Sequence, residues 1–531
     1  MSARESGWWR SAAVYQIYPR SFADANGDGV GDLAGVTSRL EHVAALGADA
    51  VWLTPFQRSP QADHGYDVSD YLDVDPLFGT LADFDDLVSH AHGLGLRVIV
   101  DLVPNHCSSA HPAFREALAA GPGSPERARF HFAPGRGPSG EQPPNNWPSV
   151  FGGPAWTPVV EPDGQPGEWY LHLYAPEQPD WNWRNPQTGH LLDDALRFWL
   201  ERGADGVRID VAHGLFKAPG LPDLADPDIE PMRLRGNVLA CDQEEVHDVY
   251  RRWRRIADGY EPERVLVGEV NLLPERAARY VRPDELHQAF AFAFLAAPWD
   301  ATAWRIAAQD LLDGALRTGA PVTWVVENHD VVRAPTRYGG GSVGLARARA
   351  ALLAVLALPG AAYVYQGQEL GLPDADVPVD ARQDPAWRRS GFTRDGARVP
   401  IPWDRDPSCT YGFSADSATP WLPVPLAPEA DWGALSVAAQ DADPGSTLAL
   451  TRRGLHLRRR LHAEGVLAAD DRAAVDATAG GLFTVGRGST LLAVNMGASS
   501  VPCPEGEVML SSRALGAGGT LRPDTAVWLR R

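Results

Sequence analysis

Eight short apolar runs recur along the 531 residues: AVYQIY (13–18), AVWLT (50–54), RVIVDLV (97–103), GVRIDV (206–211), RVLVGEV (264–270), AFAF (289–292), VTWVVE (322–327) and AAYVYQ (361–366). Helical patterns alternate with them. Before the fourth run, Leu192, Ala195, Leu196, Trp199 and Leu200 fall at i, i+3, i+4, i+7 and i+8, and Gly203 stands where a helix would be capped. Continuous apolar strands alternating with amphipathic helices build a parallel sheet covered on both faces. Eight such units predict an α/β fold, a (β/α)₈ TIM barrel.

Two stretches break the rhythm. Residues 107–171 are rich in Pro, Gly and Trp and too long for an ordinary βα loop, which predicts an inserted subdomain after the third strand. Residues from about 367 to 432 follow the eighth strand and read as an elaborated loop over the same barrel end. A helical pattern from Pro444 to His462 would close the barrel. After it GLFTV, STLLAVNM, EVMLSS and TAVWLRR read as short strands of a C-terminal antiparallel β domain. The expected division is 1–106 with 172–463 for the barrel, 107–171 for the insertion and 464–531 for the β domain.

The formal net charge of −20 argues against a nucleic-acid or anionic-membrane partner held by bulk charge, so a small neutral partner is expected. Nothing in the sequence fixes an oligomeric state. Cys107, Cys241, Cys409 and Cys503 lie far apart, which argues for neither a thiolate metal site nor a disulfide framework. The start, MSARESGWWR, lacks an apolar leader segment, and the longest apolar stretch, Ala350 to Ala362, is interrupted by Pro359 and Gly360. A cytoplasmic protein without a membrane span is the expectation. Lys217 is the sole lysine among 48 basic residues, a bias that reads as genomic.

Barrel enzymes carry their reacting groups at the C-terminal ends of the strands. Here the third strand runs into Asp101, Asn105 and His106, the fourth into Arg208 and Asp210, the fifth into Glu269 and the seventh into Asn328, His329 and Asp330. A carboxylate inside VRIDV or VLVGEV is costly to bury unless paired, and Arg208, two residues before Asp210, points to the same side of its strand. Several carboxylates without a thiol, serine triad or zinc cluster fit glycoside hydrolysis, which needs one to protonate the leaving oxygen and one at the anomeric carbon. The 18 tryptophans fit as well: Trp147, Trp156, Trp169, Trp181, Trp183, Trp387 and Trp403 cluster in the irregular segments, where aromatic faces stack on sugar rings, core filling accounting for about half. The GGGS run at 339–342 lacks the ending of a phosphate loop, and no organic cofactor is expected.

DLVPNH, GVRID, the glutamate of VGEV, and ENHD, in this order and on these strands, resemble the four main signature segments of the α-amylase family of glycoside hydrolases. GAAYVYQGQELG resembles its eighth-strand signature, and QPDWNW (178–183) the segment marking its oligo-1,6-glucosidase and α-glucosidase branch, with Trp181 where Leu is usual. The resemblance implies that Asp210 is the nucleophile, Glu269 the general acid/base and Asp330 the transition-state-stabilising carboxylate. It implies a retaining mechanism with the first two carboxyls about 5–5.5 Å apart. Glu269 would start protonated, and Asp210 beside Arg208 would stay ionised.

By the same resemblance His106 and His329 would bind glucose hydroxyls. Asp63 and Tyr66, in SPQADHGYDVSDY, would close the pocket around the non-reducing glucose, with His64 where Asn is common. In TRDGARVPIPW the sugar-binding arginine is assigned to Arg394, with Arg398 the alternative. Val211 leans towards α-1,6 as well as α-1,4 bonds, although the following AHGLFK departs from the branch's usual context.

DANGDGVGD (24–32) offers oxygen ligands at alternate positions, Asp24, Asn26, Asp28 and Asp32, but Gly35 at the twelfth position argues against an EF-hand. A polar turn closed by Asx hydrogen bonds is the alternative. The resemblance implies a structural Ca²⁺ or Mg²⁺ here, with the Val30 carbonyl as a further ligand. The expected activity is a retaining, exo-acting α-glucosidase on disaccharides and short oligosaccharides. Two rivals remain: a glucosyl-transferring or isomerising relative, and a non-catalytic relative, which would have lost carboxylates this chain retains.

Overall fold

The computed structural model describes residues 7–161, 163–226, 232, 234–414, 418–425, 431–468 and 472–531. The strands β1 (Ala13–Ile17), β2 (Ala50–Leu53), β3 (Arg97–Leu102), β4 (Gly206–Ile209), β5 (Val265–Gly268), β6 (Gln288–Ala289), β7 (Thr323–Trp324) and β8 (Ala361–Tyr365) form one parallel sheet. Its order is β6-β5-β4-β3-β2-β1-β8-β7. A parallel bridge from Phe290 to Thr323 joins the two outer strands and closes the ring. Each strand neighbours its predecessor in sequence, so the (β/α)₈ barrel is as expected.

Alternation along the strands separates two cores. Inward residues Val14, Trp52, Ile99, Val267, Phe290 and Tyr363 share one apolar cluster that fills the barrel, with Trp9 among them. Outward residues such as Tyr15, Val51, Val98, Val207 and Leu266 join a second cluster under the helices. Helix α1 (Leu33–Leu46) is capped by the Asp32 side chain, which accepts from Gly35 N, and ends at Gly47. Helix α2 (Leu81–Gly93) starts with a Thr80–Asp83 capping box. Helix α3 (Pro186–Glu201) buries Leu192, Ala195, Leu196, Trp199 and Leu200, the stripe read from the sequence. Its cap is Arg202, and Gly203 follows with φ 108°.

The sequence overestimates β6 and β7. The AFAF run ends as strand at Ala289 and a short helix, Phe292–Leu295, takes over, while VTWVVE keeps only Thr323 and Trp324 as strand. Apolar runs this short do not distinguish a strand from a buried turn.

The insertion holds a helix (Pro112–Ala120) and a three-stranded antiparallel sheet in the order 132–133, 166–171, 156–160. Bridges from His106 to Asp180 and from Phe130 to Trp181 tie it to the rim after β3. Later helices are α4 (Val246–Ala257), α5 (Ala301–Thr318), α6 (Gly341–Ala357) and α7 (Thr447–Ala463). The C-terminal sheet contains β9 (Ala473–Ala477), β10 (Leu482–Arg487), β11 (Thr490–Asn495), β12 (Glu507–Ser511) and β13 (Thr525–Arg530), antiparallel in the order β9-β10-β11-β13-β12. Strand β9 was not read from the sequence. Its alternating half-buried and exposed positions carry Ala, Val and Asp, too small an apolar signal to stand out. Among the described residues no helix is long and apolar enough to cross a membrane.

Candidate active site

The centre of the site is one guanidinium. Arg208 and Asp101 sit on inward positions of adjacent strands paired in register, so both side chains project into the top of the barrel. Arg208 Nη1 donates to both Asp101 oxygens at 3.0 Å and to Asp210 Oδ1 at 2.7 Å, and its Nη2 donates to Glu269 Oε2 at 2.6 Å. Its plane lies over the Trp52 ring, 5.0 Å from the centroid. Glu269 Oε2 also accepts from Val211 N at 3.1 Å. Val211 holds φ 43°, an uncommon conformation for a β-branched residue, and Gly214 N closes that turn onto Val211 O. A Cβ on Gly214 would stand 2.7 Å from Val211 Cγ1, so the turn beside Asp210 needs glycine there.

Asp330 is held from three sides. Its Oδ1 accepts from Arg394 Nη1 at 3.0 Å and Arg398 Nη2 at 2.9 Å, and its Oδ2 lies 3.3 Å from His329 Nε2. Gln16 Nε2 donates to His329 Nδ1 at 2.7 Å, which leaves the imidazole proton on Nε2, facing Tyr66 Oη at 2.6 Å and Asp330. Tyr66 stacks on that imidazole with 5.4 Å between centroids and 6° between planes. Arg394 Nη2 reaches Asp63 Oδ1 at 3.0 Å, while Asp384 grips the other edge of the same guanidinium through Nε at 2.9 Å and Nη2 at 2.8 Å.

Seven candidates, Asp63, Tyr66, His106, Asp210, Glu269, Asp330 and Arg394, line one cavity of about 700 Å³. Arg208 and His329 lie directly behind it. Arg398 is fully buried, and its Nε is bound to His329 O, so of the two alternatives Arg394 is the arginine on the cavity surface.

Burial dominates the electrostatics. It pushes Asp101 up to about 7 against the pull of Arg208 and Asp63 up to about 6 against Arg394. Asp210 is also raised well above the usual carboxylate range by burial, with Arg208 opposing and Glu269 adding to the rise. Three carboxyl groups, Asp101, Asp210 and Glu269, share that single cation. Burial would raise Asp330 too, but His329, Arg394 and Arg398 overcome it and hold its carboxyl below the usual range. Burial pushes His106 and His329 down to about 3, so both are neutral near pH 7.

Other expectations shift. Trp147, Trp156, Trp169, Trp181, Trp183 and Trp403 are buried and none lines the cavity; Trp387 does not line it either. The aromatic groups that do are Tyr66, Phe151, Tyr174, Phe292 and Phe392. Core filling therefore accounts for the six buried ones, whose indole area is large enough to hold Pro-rich loops together. Two residues that shape the site were missed. Asp384 sits in the long loop after β8 as the N-cap of a short helix beginning at Pro385, and the Asp-Pro pair was its signal. Lys217 is completely buried, its Nζ 2.7 Å from Asp180 and 2.8 Å from Asn105 Oδ1, with a further bond to Gly214 O. The ammonium is therefore spent on three oxygens of the rim with no surface left to water.

The loop at 24–32 lies outside this cavity. Asp24 accepts from Gly27 N, Gly29 N and Ser414 Oγ, Asn26 from Asp28 N, Asp28 from Val30 N, and Asp32 from Ala25 N, Asn26 N and Gly35 N. The loop is thus closed by Asx-type bonds. Among the described residues no three His, Cys, Asp or Glu side chains are placed together to hold a metal ion.

Residues 16–464 match the family described as alpha amylase, catalytic domain. The chain is 42% identical over 477 residues to a probable alpha-glucosidase of Rhizobium meliloti, covering 85% of this chain and 82% of that protein. It is 34% identical to the oligo-1,6-glucosidase of Parageobacillus thermoglucosidasius over 86% of this chain and 84% of the relative. Among solved structures, the alpha-glucosyl transfer enzyme XgtA superposes with a TM-score of 0.88 at 37% identity over 99% of both chains. The trehalulose synthase MutB superposes at 0.87 with 28% identity, over 99% of this chain and 100% of that one. Family match, barrel and relatives agree that the chain belongs to the alpha-amylase family of glycoside hydrolases.

Proposed function

We propose that the protein is a retaining, exo-acting α-glucosidase that removes terminal α-linked glucose from disaccharides and short oligosaccharides. The observation that carries this reading is the grouping of Asp210 and Glu269 on the two nitrogens of Arg208, at the floor of a cavity that also contains Asp330. In this mechanism Asp210 attacks the anomeric carbon while Glu269 gives its proton to the departing oxygen. Glu269, now a carboxylate, then takes a proton from the incoming water. Arg208 places one positive charge against Asp101, Asp210 and Glu269 together.

Asp63, Arg394 and Asp330 form a continuous ion network across one end of the cavity, with Arg398 behind. That wall supports entry of a single terminal glucose and no through-cleft. The cation reading of the 24–32 loop is likewise proposed: its donors are oxygens, the chemistry Ca²⁺ and Mg²⁺ prefer, and such an ion would stabilise the loop without entering the reaction. The test of function is a panel of maltose, isomaltose, sucrose, trehalose and soluble starch, followed by chromatography, with the product anomer read by NMR in the first turnovers. Glucose released as the α-anomer from the small substrates, with starch a poor one, supports the reading. Mixed maltodextrins appearing before glucose would replace it with an endo-acting amylase.

A further inference from the structure

A second cavity, of about 670 Å³, lies where the C-terminal sheet rests on α6 and α7, and none of its lining residues lines the catalytic one. Helix α6 gives it Arg349, α7 gives it Arg453, and the chain just beyond β12 gives it Arg513. Among the described residues no Asp or Glu lines it, and none of the three guanidiniums pairs with a carboxylate. Their neighbours on the same helices do pair: Arg347 Nε lies 2.8 Å from Asp524, and Arg452 Nη2 3.0 Å from Asp441. The cavity also has an apolar side, made by Leu345 of α6 and Val508, Met509 and Leu510 of β12, and Val508 is left 44% exposed.

Two of the arginines are anchored. Arg349 Nε donates to Ser512 O at 3.1 Å and its Nη1 to Thr447 Oγ1 at 3.2 Å, which ties α6 to the end of β12 and to the start of α7 and leaves Nη2 without a partner among the described residues. Arg453 Nε donates to Ala449 O of its own helix at 3.1 Å. Burial lowers the Arg349 pKa, Arg453 and Arg513 push it the same way, and Asp443 opposes them, so three cations face one carboxylate and two positive charges stand in excess. A chain with 68 acidic against 48 basic residues does not produce such an excess by composition. A phosphate monoester carries about −1.5 to −2 charges near pH 7, and guanidiniums fork onto its oxygens through paired hydrogen bonds. A single carboxylate would balance half of the excess. The apolar side favours an organic body over inorganic phosphate.

We infer that this cavity binds a small organic phosphate monoester, its phosphate held by Arg349, Arg453 and Arg513 and its apolar portion laid against Leu345 and Val508. No bond is made or broken there. The ligand touches α6, α7 and the C-terminal sheet at once, so binding fastens the sheet to the barrel and raises the melting temperature in proportion to occupancy.

The experiment titrates the full chain with phenyl phosphate and with inorganic phosphate by calorimetry, ionic strength being held constant with potassium chloride. One phenyl phosphate should bind per chain, more tightly than inorganic phosphate, and should raise the melting temperature. Arg453→Gln and Arg513→Gln should each weaken it at least about tenfold, the loss expected when a charge-assisted hydrogen bond is removed. Both side chains are exposed, so these variants keep the fold, which their cooperative melting without ligand verifies. No saturable binding at millimolar phenyl phosphate, binding no tighter than that of inorganic phosphate, or binding unchanged in both variants overturns the inference.

Discussion

Lys217 shows how one side chain ties the reacting turn to the rest of the rim. Its ammonium joins the turn after Asp210, through Gly214 O, to Asn105 after β3 and to Asp180, which is bridged to His106. Asp180 and Lys217 are both fully buried, so removing the cation leaves a carboxylate with neither water nor an ion partner. Lys217→Met should cost about 3–5 kcal/mol in urea unfolding. Lys217→Arg keeps the charge but overfills the site, and it should lower kcat together with stability; an arginine variant with native melting and activity would contradict this assignment. His106 makes a second residue-scale prediction. Burial lowers its folded pKa to about 3, so its contribution is fully present above the unfolded value near 6.5 and is lost as pH falls from there towards about 3. Between about pH 6 and 4 the native protein should lose up to about 1.4 kcal/mol per pH unit more than His106→Asn. Parallel stability curves for the two proteins would show that the imidazole is free to take a proton.

At the scale of elements, the loop at 24–32 is a brace between the first and last βα units. Asp24 N donates to Phe413 O, Trp421 N to Gly29 O, and the Trp421 indole to Ser21 Oγ. Asp24 is buried and accepts three bonds, whereas Asp28 is exposed and accepts one from Val30 N. Without a cation, Asp24→Ala should cost about 2–3 kcal/mol and Asp28→Ala less than about 0.5 kcal/mol. With a cation bound, Asp28→Ala should destabilise as well, and prolonged chelation should lower the melting temperature of the native protein but not of that variant. Unchanged melting after chelation, with no metal by elemental analysis, returns the loop to a polar turn. The elements also show what could be read in the chain. The eight-strand count and the α3 stripe were legible because strand and helix periodicities are local. The ends of β6 and β7 were not, since pairing with neighbours decides where so short a run stops. At the site, the clustering of Arg208, Asp210 and Glu269 was legible from strand ends. The sharing of one guanidinium by three carboxyls was not, because Asp101 reaches it only across a parallel pair.

The whole molecule is held by an apolar core that does not stop at the barrel. Phe483, Val485, Leu492, Val494 and Trp528 of the C-terminal sheet belong to the same cluster as the barrel's outer layer. Trp304 of α5 meets Phe483 at 5.6 Å, and Asp524 accepts from the Trp299 indole and from Arg347 Nε. Deleting residues 464–531 should therefore expose the outer faces of α5 and α6, and the shortened chain should aggregate on expression. A soluble shortened chain with native melting would mean the sheet is an appendage. The proposed catalysis requires a covalent glucosyl-enzyme formed at Asp210 and resolved with Glu269 as the base. The direct measurement is to react Glu269→Gln with α-glucosyl fluoride, whose leaving group needs no proton, and to map the product by peptide mass spectrometry. One glucosyl mass on the peptide that contains Asp210, lost when Asp210→Ala is added, is the predicted result. A label on another residue, or an unlabelled enzyme that still consumes the fluoride, would contradict it.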